Sequence, residues 1–228
     1  MQTTFRQKLY HSVNVALDIG WLEGLKLAVA LFCNAAVRIK PKDYAHSFLV
    51  RGGTSDPLIV LAVFSRKEYS TPCPQEIDLI LDLGANVGYS AIYFAHHYPH
   101  ARILALEPEH RNFQLLCENV SKYQNIVPMN LGIWWRKAKI EIVNPEAESW
   151  AFQFKETEGE GVDCTTIEEL IKEYGGMKGV IVKMDIEGAE GEIFKNGARW
   201  LSLVDYVQIE IHGCWKAVFE GFPLQLVW

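Results

Sequence analysis

The stretch that decides the fold is residues 79–88, with the sequence LILDLGANVG. An apolar run contains Asp82, two glycines follow at Gly84 and Gly88, and a helical pattern begins at Tyr89. This order is typical of a buried strand, a tight turn and a helix. It predicts the first unit of a nucleotide-binding α/β sheet, in which ligands bind at the carboxyl ends of the strands. We expect the glycines to let the backbone approach the ligand and the bare amides at the helix start to face it.

The turn differs from the dinucleotide-binding fingerprint. That fingerprint is G-x-G-x-x-G, whose second glycine makes room for a pyrophosphate. Here Ala85, Asn86 and Val87 separate the two glycines. An uncompensated carboxylate at Asp82 would also repel a pyrophosphate and attract a cation, such as the sulfonium or ammonium of S-adenosylmethionine. A strand-end cap bonded to turn amides is the alternative for Asp82. Together these features favour the methyl donor over NAD.

A second carboxylate follows the next predicted strand. Glu107 and Pro108 come about 20 residues after the turn, where an acid usually accepts the ribose hydroxyls of a nucleotide. NAD and S-adenosylmethionine both carry that ribose, so Glu107 does not separate the two cofactors.

The composition indicates a globular protein with one large core. Of 228 residues, 49% are hydrophobic and 22% are charged, which predicts one catalytic domain over residues 47–228 with an extension over residues 1–46. The net charge of −6 argues against a nucleic-acid partner. The five cysteines form no C-x-x-C pair, so we expect reduced thiols and a cytoplasmic location rather than disulfides or a zinc site.

The extension is predicted to be helical. Apolar residues recur at helical spacing over residues 5–16 and again over residues 22–36. The richest run, residues 27–33, is far below the roughly 20 residues that span a bilayer. We expect these helices to pack on the catalytic domain. A membrane-surface helix is the alternative, and it should carry a strongly cationic face.

The remainder of the chain alternates strands and helices, which predicts parallel strands with helices on both faces of the sheet. A hairpin insertion is predicted at the edge of the sheet after strand three. The predicted strands are residues 77–83, 102–106, 126–131, 180–184 and 206–211, the helices are residues 89–98, 110–122, 166–174 and 190–201, and the hairpin strands are residues 139–143 and 150–154.

Two further motifs follow strands four and five. Residues 183–190 read KMDIEGAE, and residues 210–212 read EIH. Since the carboxyl ends of parallel strands meet at one edge, the titratable groups that follow them should share a rim. These groups are Asp82, Glu107, Asp185 and His212.

With these motifs on its strand ends, the chain resembles the FkbM family of S-adenosylmethionine-dependent methyltransferases over about residues 51–212. The resemblance implies a Rossmann-like class I methyltransferase sheet and O-methylation of a hydroxyl on a sugar, glycolipid or polyketide. It implies three groups of cofactor-binding residues. These are Asp82, Gly84, Ala85, Asn86, Gly88 and Ser90 for the methionine part, Glu107 and Pro108 for the ribose, and either Asn112 or the turn from Asn130 to Gly132 for the adenine side.

Methyl transfer to an alcohol needs a base, and Asp185 and His212 are the candidates by type and place. For His212, a strand-end histidine bonded only to backbone is the alternative. A Mg²⁺ ion is the alternative, and the residues that could hold it are Asp185, Glu187, Glu190, Glu210 and His212. We do not favour a metal site, because the helix dipole stabilises acidic residues at the start of a helix without a metal ion.

Only 16 residues follow His212. We therefore expect the sheet to lack its last strand, and an exposed edge would favour a homodimer. Two other functions stay open, a nicotinamide-dependent oxidoreductase and a non-catalytic Rossmann-like binding module. Neither nucleic acid nor a membrane span is expected.

Overall fold

A computed structural model describes residues 18–70, 76–144, 146, 154–175, 178–186, 189–210 and 225–226. The chain forms two compact units, Met1–Ser70 (unit 1) and Thr71–Trp228 (unit 2). The boundary expected at residue 46 lies inside unit 1.

Unit 1 contains a small antiparallel sheet between two helical segments. Its elements are helix α1 (Trp21–Cys33), strands β1 (Val37–Ile39) and β2 (Phe48–Val50), helix α2 (Asp56–Val60) and a π-helical segment (Leu61–Ser65). The carboxylate of Asp56 is fully buried and accepts two hydrogen bonds of 2.8 Å from the Arg51 guanidinium, which closes the turn before α2. The helix expected over residues 5–16 lies outside the described residues.

Unit 2 is built on a six-stranded parallel sheet with the order β12-β11-β10-β3-β4-β5. The central strands β3 and β10 are fully buried and apolar except for one charged residue each, Asp82 and Lys183, as expected for strands covered on both faces. The strands are β3 (Leu79–Leu83), β4 (Arg102–Leu106), β5 (Ile126–Met129), β10 (Val180–Met184), β11 (Tyr206–Ile209) and β12 (Gln225–Leu226).

Helices cover both faces of this sheet, as predicted. Leu81 belongs to a buried cluster with Leu170 and Phe194, which come from helices on one face. Asp82 points to the opposite face, because side chains alternate along a strand, and there it accepts a hydrogen bond from Ser90. The helices are α3 (Tyr89–His97), α4 (His110–Val120), α5 (Ile167–Tyr174) and α6 (Glu190–Gly197), the last continuing as a 3₁₀ segment (Ala198–Leu203).

A second sheet of four strands stands apart from the main one, with the order β6-β9-β7-β8. The antiparallel pair β7–β8 occupies the region of the expected hairpin. This pair joins β9 of the second sheet rather than the edge of the six-stranded sheet, because residues 132–133 leave β5 and pair with β9. The strands are β6 (Gly132–Ile133), β7 (Ala138–Ile142), β8 (Phe154–Thr157) and β9 (Val162–Thr165).

The edge of the main sheet beyond β11 carries β12, a strand of two residues that pairs in parallel. Residues 211–224 and 227–228 lie outside the described part of the chain. The expectation that the final strand is missing therefore stays a prediction.

Helix α5 begins with a side-chain cap, which gives a test of local stability. Thr166 has extended backbone angles, and its hydroxyl accepts a hydrogen bond from the Glu169 amide at 3.2 Å. Thr166→Ala is expected to lower the free energy of unfolding by about 1 kcal/mol, measured by urea denaturation. Thr166→Ser keeps the hydroxyl and should retain most of the stability. Equal losses in the two variants would contradict the assignment of this cap.

Candidate active site

The carboxyl ends of the parallel strands form a single rim. In the sheet register Leu83 lies beside Leu106 on one side and Met184 on the other. Met129 and Ile209 extend this row to the next two strands. Because these residues end their strands, the residues that follow them share one edge of the sheet. Those residues are Gly84, Glu107, Asn130, Asp185 and Glu210. The first four are predicted site residues, and Glu210 is a candidate only in the metal alternative.

The two glycines of the turn are required by the packing of the protein itself. Gly84 has φ +74°, and a Cβ there would lie 1.8 Å from the carbonyl oxygen of Asp185. Gly88 has φ +93°, and a Cβ there would lie 2.7 Å from Leu116 of α4. Left-handed angles and close backbone contacts both select glycine. Both glycines therefore have a structural reason that is independent of any ligand.

The first amides of the turn are engaged within the protein. The amides of Gly84 and Ala85 donate to the Leu106 carbonyl at 3.1 and 2.8 Å, and the Asn86 amide donates to the Glu107 carboxylate at 2.9 Å. The expectation that bare amides face a ligand concerned the helix start at Tyr89, and it stays a prediction. The three turn amides themselves are already used within the protein. A pyrophosphate is normally held by such amides, so their engagement argues against a dinucleotide at this turn.

Asp82 lies beneath the turn as half of a buried ion pair. Its Oδ1 is 3.1 Å from the Lys183 Nζ, and its Oδ2 accepts a 2.6 Å hydrogen bond from the Ser90 hydroxyl. The Asp82 side chain is 0% exposed and that of Lys183 is 3% exposed. The expectation of an uncompensated carboxylate is therefore wrong, because the register of β3 and β10 places Lys183 directly beside Asp82.

Lys183 connects this buried pair to the rim. Its ammonium donates to the Gly84 carbonyl at 2.7 Å and lies 4.0 Å from the Asp185 carboxylate. The Asp185 side chain is 25% exposed, so Asp185 is the acid of this group that solvent reaches. These contacts make Lys183 an ion-pair partner of both Asp82 and Asp185.

Glu107 is a buried carboxylate held by two backbone amides. Only 6% of the residue is exposed, and its two oxygens accept hydrogen bonds of 2.9 Å from the amides of Asn86 and Glu109. Burial raises the pKa of Glu107 from 4.5 to about 7, although the two amide bonds and the charge of Lys183 act in the opposite direction. Each oxygen keeps a further lone pair with which it can accept another hydrogen bond.

The segment that carries Glu107 is fixed from both sides. Glu109, which the sequence analysis missed, caps α4 by accepting a 2.7 Å hydrogen bond from the Asn112 amide. The sequence signal for this cap was an acidic residue directly before the predicted helix at residues 110–122, where its side chain can accept from an amide of the first turn. The Asn130 amide group donates to the carbonyls of Glu107 and Pro108 at 2.8 and 3.1 Å. In this structure the Asn112 backbone amide and the Asn130 side chain thus support the segment that carries Glu107.

Asn86 holds an unused acceptor at the turn. It has a left-handed backbone with φ +49°, which asparagine tolerates better than most residues. Its side-chain oxygen is buried and has no hydrogen-bond partner among the described residues. A buried acceptor without a partner is costly, so this atom suits a ligand that brings a donor.

The remaining predicted residues divide into two groups. Glu190 is fully buried, and its carboxylate accepts a 3.1 Å hydrogen bond from the Ile186 amide, a role at the helix start that needs no metal. His212 and Glu187 lie outside the described residues, so their roles stay predictions.

Across the described ranges, His, Cys, Asp and Glu side chains form no group of three or more that could hold a metal ion. Within the same ranges, no helix is both long enough and apolar enough to cross a membrane.

Comparison with known protein families identifies the chain. Residues 82–223 match the methyltransferase FkbM domain. The match covers more than half of the chain and includes the rim residues Gly84, Glu107, Asn130, Asp185 and Glu210. The chain belongs to the FkbM methyltransferase family.

Two individual similarities accompany the family match. The FkbM chain is 28% identical over 141 residues to the hexuronic acid methyltransferase AglP of Haloferax volcanii, an alignment that covers 60% of this chain and 57% of that protein. It also aligns with the crystal structure of methyltransferase FkbM from Methylobacillus flagellatus with a TM-score of 0.41 and 20% identity, covering 56% of this chain and 31% of the other.

Proposed function

We propose that this chain is an S-adenosylmethionine-dependent O-methyltransferase. The observation that carries the proposal is the buried, unpartnered side-chain oxygen of Asn86, a residue whose own amide donates to the buried Glu107 carboxylate. Family membership supports a methyltransferase activity. The choice of S-adenosylmethionine as the methyl donor rests on the hydrogen-bond acceptors that the turn presents.

The residues present fit S-adenosylmethionine better than NAD. The cofactor brings an ammonium group and a ribose diol, which are donors, and it has no phosphate. Asn86 offers an unused side-chain oxygen, and Glu107 has spare lone pairs. The engaged amides of Gly84 and Ala85 would leave a pyrophosphate short of donors. We therefore assign Asn86 to the ammonium and Glu107 to the ribose hydroxyls.

The chemistry required of the protein is alignment and removal of a proton. When bound, the cofactor would supply a methyl group on a positively charged sulfur. The acceptor oxygen would bond to the methyl carbon in line with the carbon–sulfur bond, and the sulfur would leave as S-adenosylhomocysteine. Holding the reacting atoms in line lowers the barrier by several kcal/mol. Asp185 is partly exposed on the rim, which suits a base that takes the proton of the acceptor hydroxyl. His212 is the second candidate for this base, from its place in the sequence.

For the acceptor, we propose a hydroxyl on a sugar. The support is the printed name of the Haloferax volcanii relative, a hexuronic acid methyltransferase. This chain aligns with only 57% of that protein's length, so the relative's substrate is not carried over alone. The panel of acceptors to be tested therefore also includes glycolipid and polyketide hydroxyls.

Calorimetry with S-adenosylhomocysteine and NADH tests the donor. We expect binding of S-adenosylhomocysteine alone, unaffected by Mg²⁺ or EDTA. Asn86→Gly removes the unpartnered acceptor while tolerating the left-handed backbone, and it should weaken binding about tenfold, the size of one hydrogen bond to a charged group. Asn86→Asp keeps an oxygen and should bind normally.

Three outcomes would contradict the proposal. Binding of NADH without S-adenosylhomocysteine would indicate an oxidoreductase, and binding of neither ligand would indicate a non-catalytic module. Binding of S-adenosylhomocysteine without transfer of labelled methyl to any uronic acid glycoside, glycolipid or polyketide in the panel would refute the acceptor class.

A further inference from the structure

Helix α1 exposes a row of large apolar side chains, called here the apolar stripe. Its members are Trp21, Leu22, Leu25, Val29 and Phe32, which are 68%, 64%, 64%, 38% and 81% exposed. At 100° per residue these five positions fall within an arc of about 100° on one side of the helix. The opposite side is buried through Leu27 and Ala30. The stripe is thus a second apolar face of a helix that has already buried its first.

Exposed basic residues lie beside the start of this helix, on residues 38–42, called here the basic segment. Arg38, Lys40 and Lys42 are exposed, while the intervening Ile39 is fully buried. The Lys40 amide donates to the Glu23 carboxylate of α1 at 2.9 Å. The Lys42 amide donates to the Ile19 carbonyl at 3.1 Å. These two bonds fix the basic segment next to the end of α1 that carries Trp21 and Leu22.

The charges of the two units have opposite signs. Residues 1–70 contain 9 Lys and Arg and 5 Asp and Glu, a net charge of +4. Residues 71–228 contain 13 Lys and Arg and 23 Asp and Glu, a net charge of −10. An extended anionic surface therefore attracts unit 1 and repels unit 2. This asymmetry favours one orientation of the chain at such a surface.

We propose that the apolar stripe and the basic segment bind the surface of an anionic lipid bilayer, with α1 lying in the plane of the interface. Trp, Phe and Leu side chains are the groups that enter the boundary between headgroups and acyl chains. Adjacent lysines and arginines add attraction to anionic headgroups. The helix itself lacks the strongly cationic face expected of a membrane-surface helix. The structure supplies the cations from the segment that follows it.

Flotation of the full chain with lipid vesicles tests this docking. We expect binding to vesicles of phosphatidylcholine with about 30% phosphatidylglycerol, and at least tenfold weaker binding to phosphatidylcholine alone. K40E/K42E should weaken binding to the anionic vesicles at least tenfold, because each basic residue near the surface contributes about fivefold. L25Q/F32Q should abolish binding at any salt concentration. Brominated lipids should quench tryptophan fluorescence of the wild type, and much less that of Trp21→Phe.

Matched controls replace similar side chains elsewhere. Leu58→Gln removes a leucine that is 53% exposed in α2 of the same unit, and Lys122→Glu reverses an exposed charge in unit 2. Both variants should bind vesicles as the wild type does. Failure of the wild type to float with anionic vesicles would overturn the proposal. So would a concentration-dependent dimer that L25Q/F32Q dissociates, since the stripe would then join two copies of the chain.

Discussion

Replacing Glu107 with Gln is expected to weaken the binding of S-adenosylhomocysteine about a hundredfold at pH 8. The carboxylate is charged at this pH, and the loss of two hydrogen bonds to a charged acceptor has that size. The carboxylate is buried, and each oxygen already accepts one backbone amide. A Gln side chain would turn an NH₂ group toward one of these amides and would offer one oxygen to a diol that needs two. Calorimetry gives the affinity directly.

The same carboxylate predicts how binding depends on pH. Burial holds the pKa of Glu107 at about 7 in the free protein. Ribose hydroxyls donate to the ionised form, so the bound cofactor lowers this pKa and binding releases protons near neutral pH. Affinity should fall, by at most about tenfold per pH unit, as the pH drops below 7, and level off above 8. Calorimetry in two buffers of different ionisation enthalpy measures the released proton.

Stability of the free protein should change in the opposite direction. The folded pKa of Glu107, about 7, lies above its ordinary value of 4.5, so the folded state binds more protons between these values. Its contribution to the unfolding free energy is therefore full below pH 4.5 and is lost as the pH rises through 7. The loss is on the order of 3 kcal/mol. Urea denaturation of the wild type and of Glu107→Gln at pH 5 and 8 isolates this contribution.

Glu160→Gln, at an exposed position in unit 2, is the matched control for both measurements. It should change neither the proton release nor the dependence of stability on pH. A Glu107→Gln variant that still released protons on binding would place the titrating group elsewhere and count against the ribose assignment.

The features that the sequence predicted are those determined by local pattern. Strands 102–106 and 180–184 have the predicted bounds, because a short, mostly apolar segment between turn residues indicates a buried parallel strand. The helix start at Tyr89 also follows from the two preceding glycines. These elements suffice to place Gly84, Glu107 and Asp185 on one rim.

The features that the sequence could not predict depend on register and on distant partners. Asp82 and Lys183 are 101 positions apart by their numbers, and only the pairing of β3 with β10 makes them neighbours. Likewise, the carbonyl that accepts from the amides of Gly84 and Ala85 belongs to Leu106, which only the pairing of β3 with β4 brings beside the turn. Charge arguments made on single residues fail at such places, because the compensating group comes from another strand. The preference for S-adenosylmethionine now rests on different grounds, namely the acceptor left unused at Asn86 and the turn amides already engaged by Leu106.

Replacing Lys183 with Met is expected to lower the free energy of unfolding by about 3 to 5 kcal/mol at pH 7, the cost of removing one partner from a buried ion pair. The change removes the ammonium that lies 3.1 Å from the buried Asp82 carboxylate, and it also removes the donor to the Gly84 carbonyl. Urea denaturation measures the loss. Lys178→Met is the control, since Lys178 pairs with Glu76 at the surface and such pairs contribute less than about 1 kcal/mol.

The double variant Lys183→Met/Asp82→Asn separates charge from position. It removes both buried charges, so most of the lost stability should return. Because Asp82 is 0% exposed and bonds to Ser90 and Lys183, we expect it to position the turn rather than contact the cofactor. The double variant should then bind S-adenosylhomocysteine within about threefold of the wild type, close to the error of additivity between variants. A tenfold or greater loss in a variant that folds normally would show that the Asp82 charge itself attracts the cofactor.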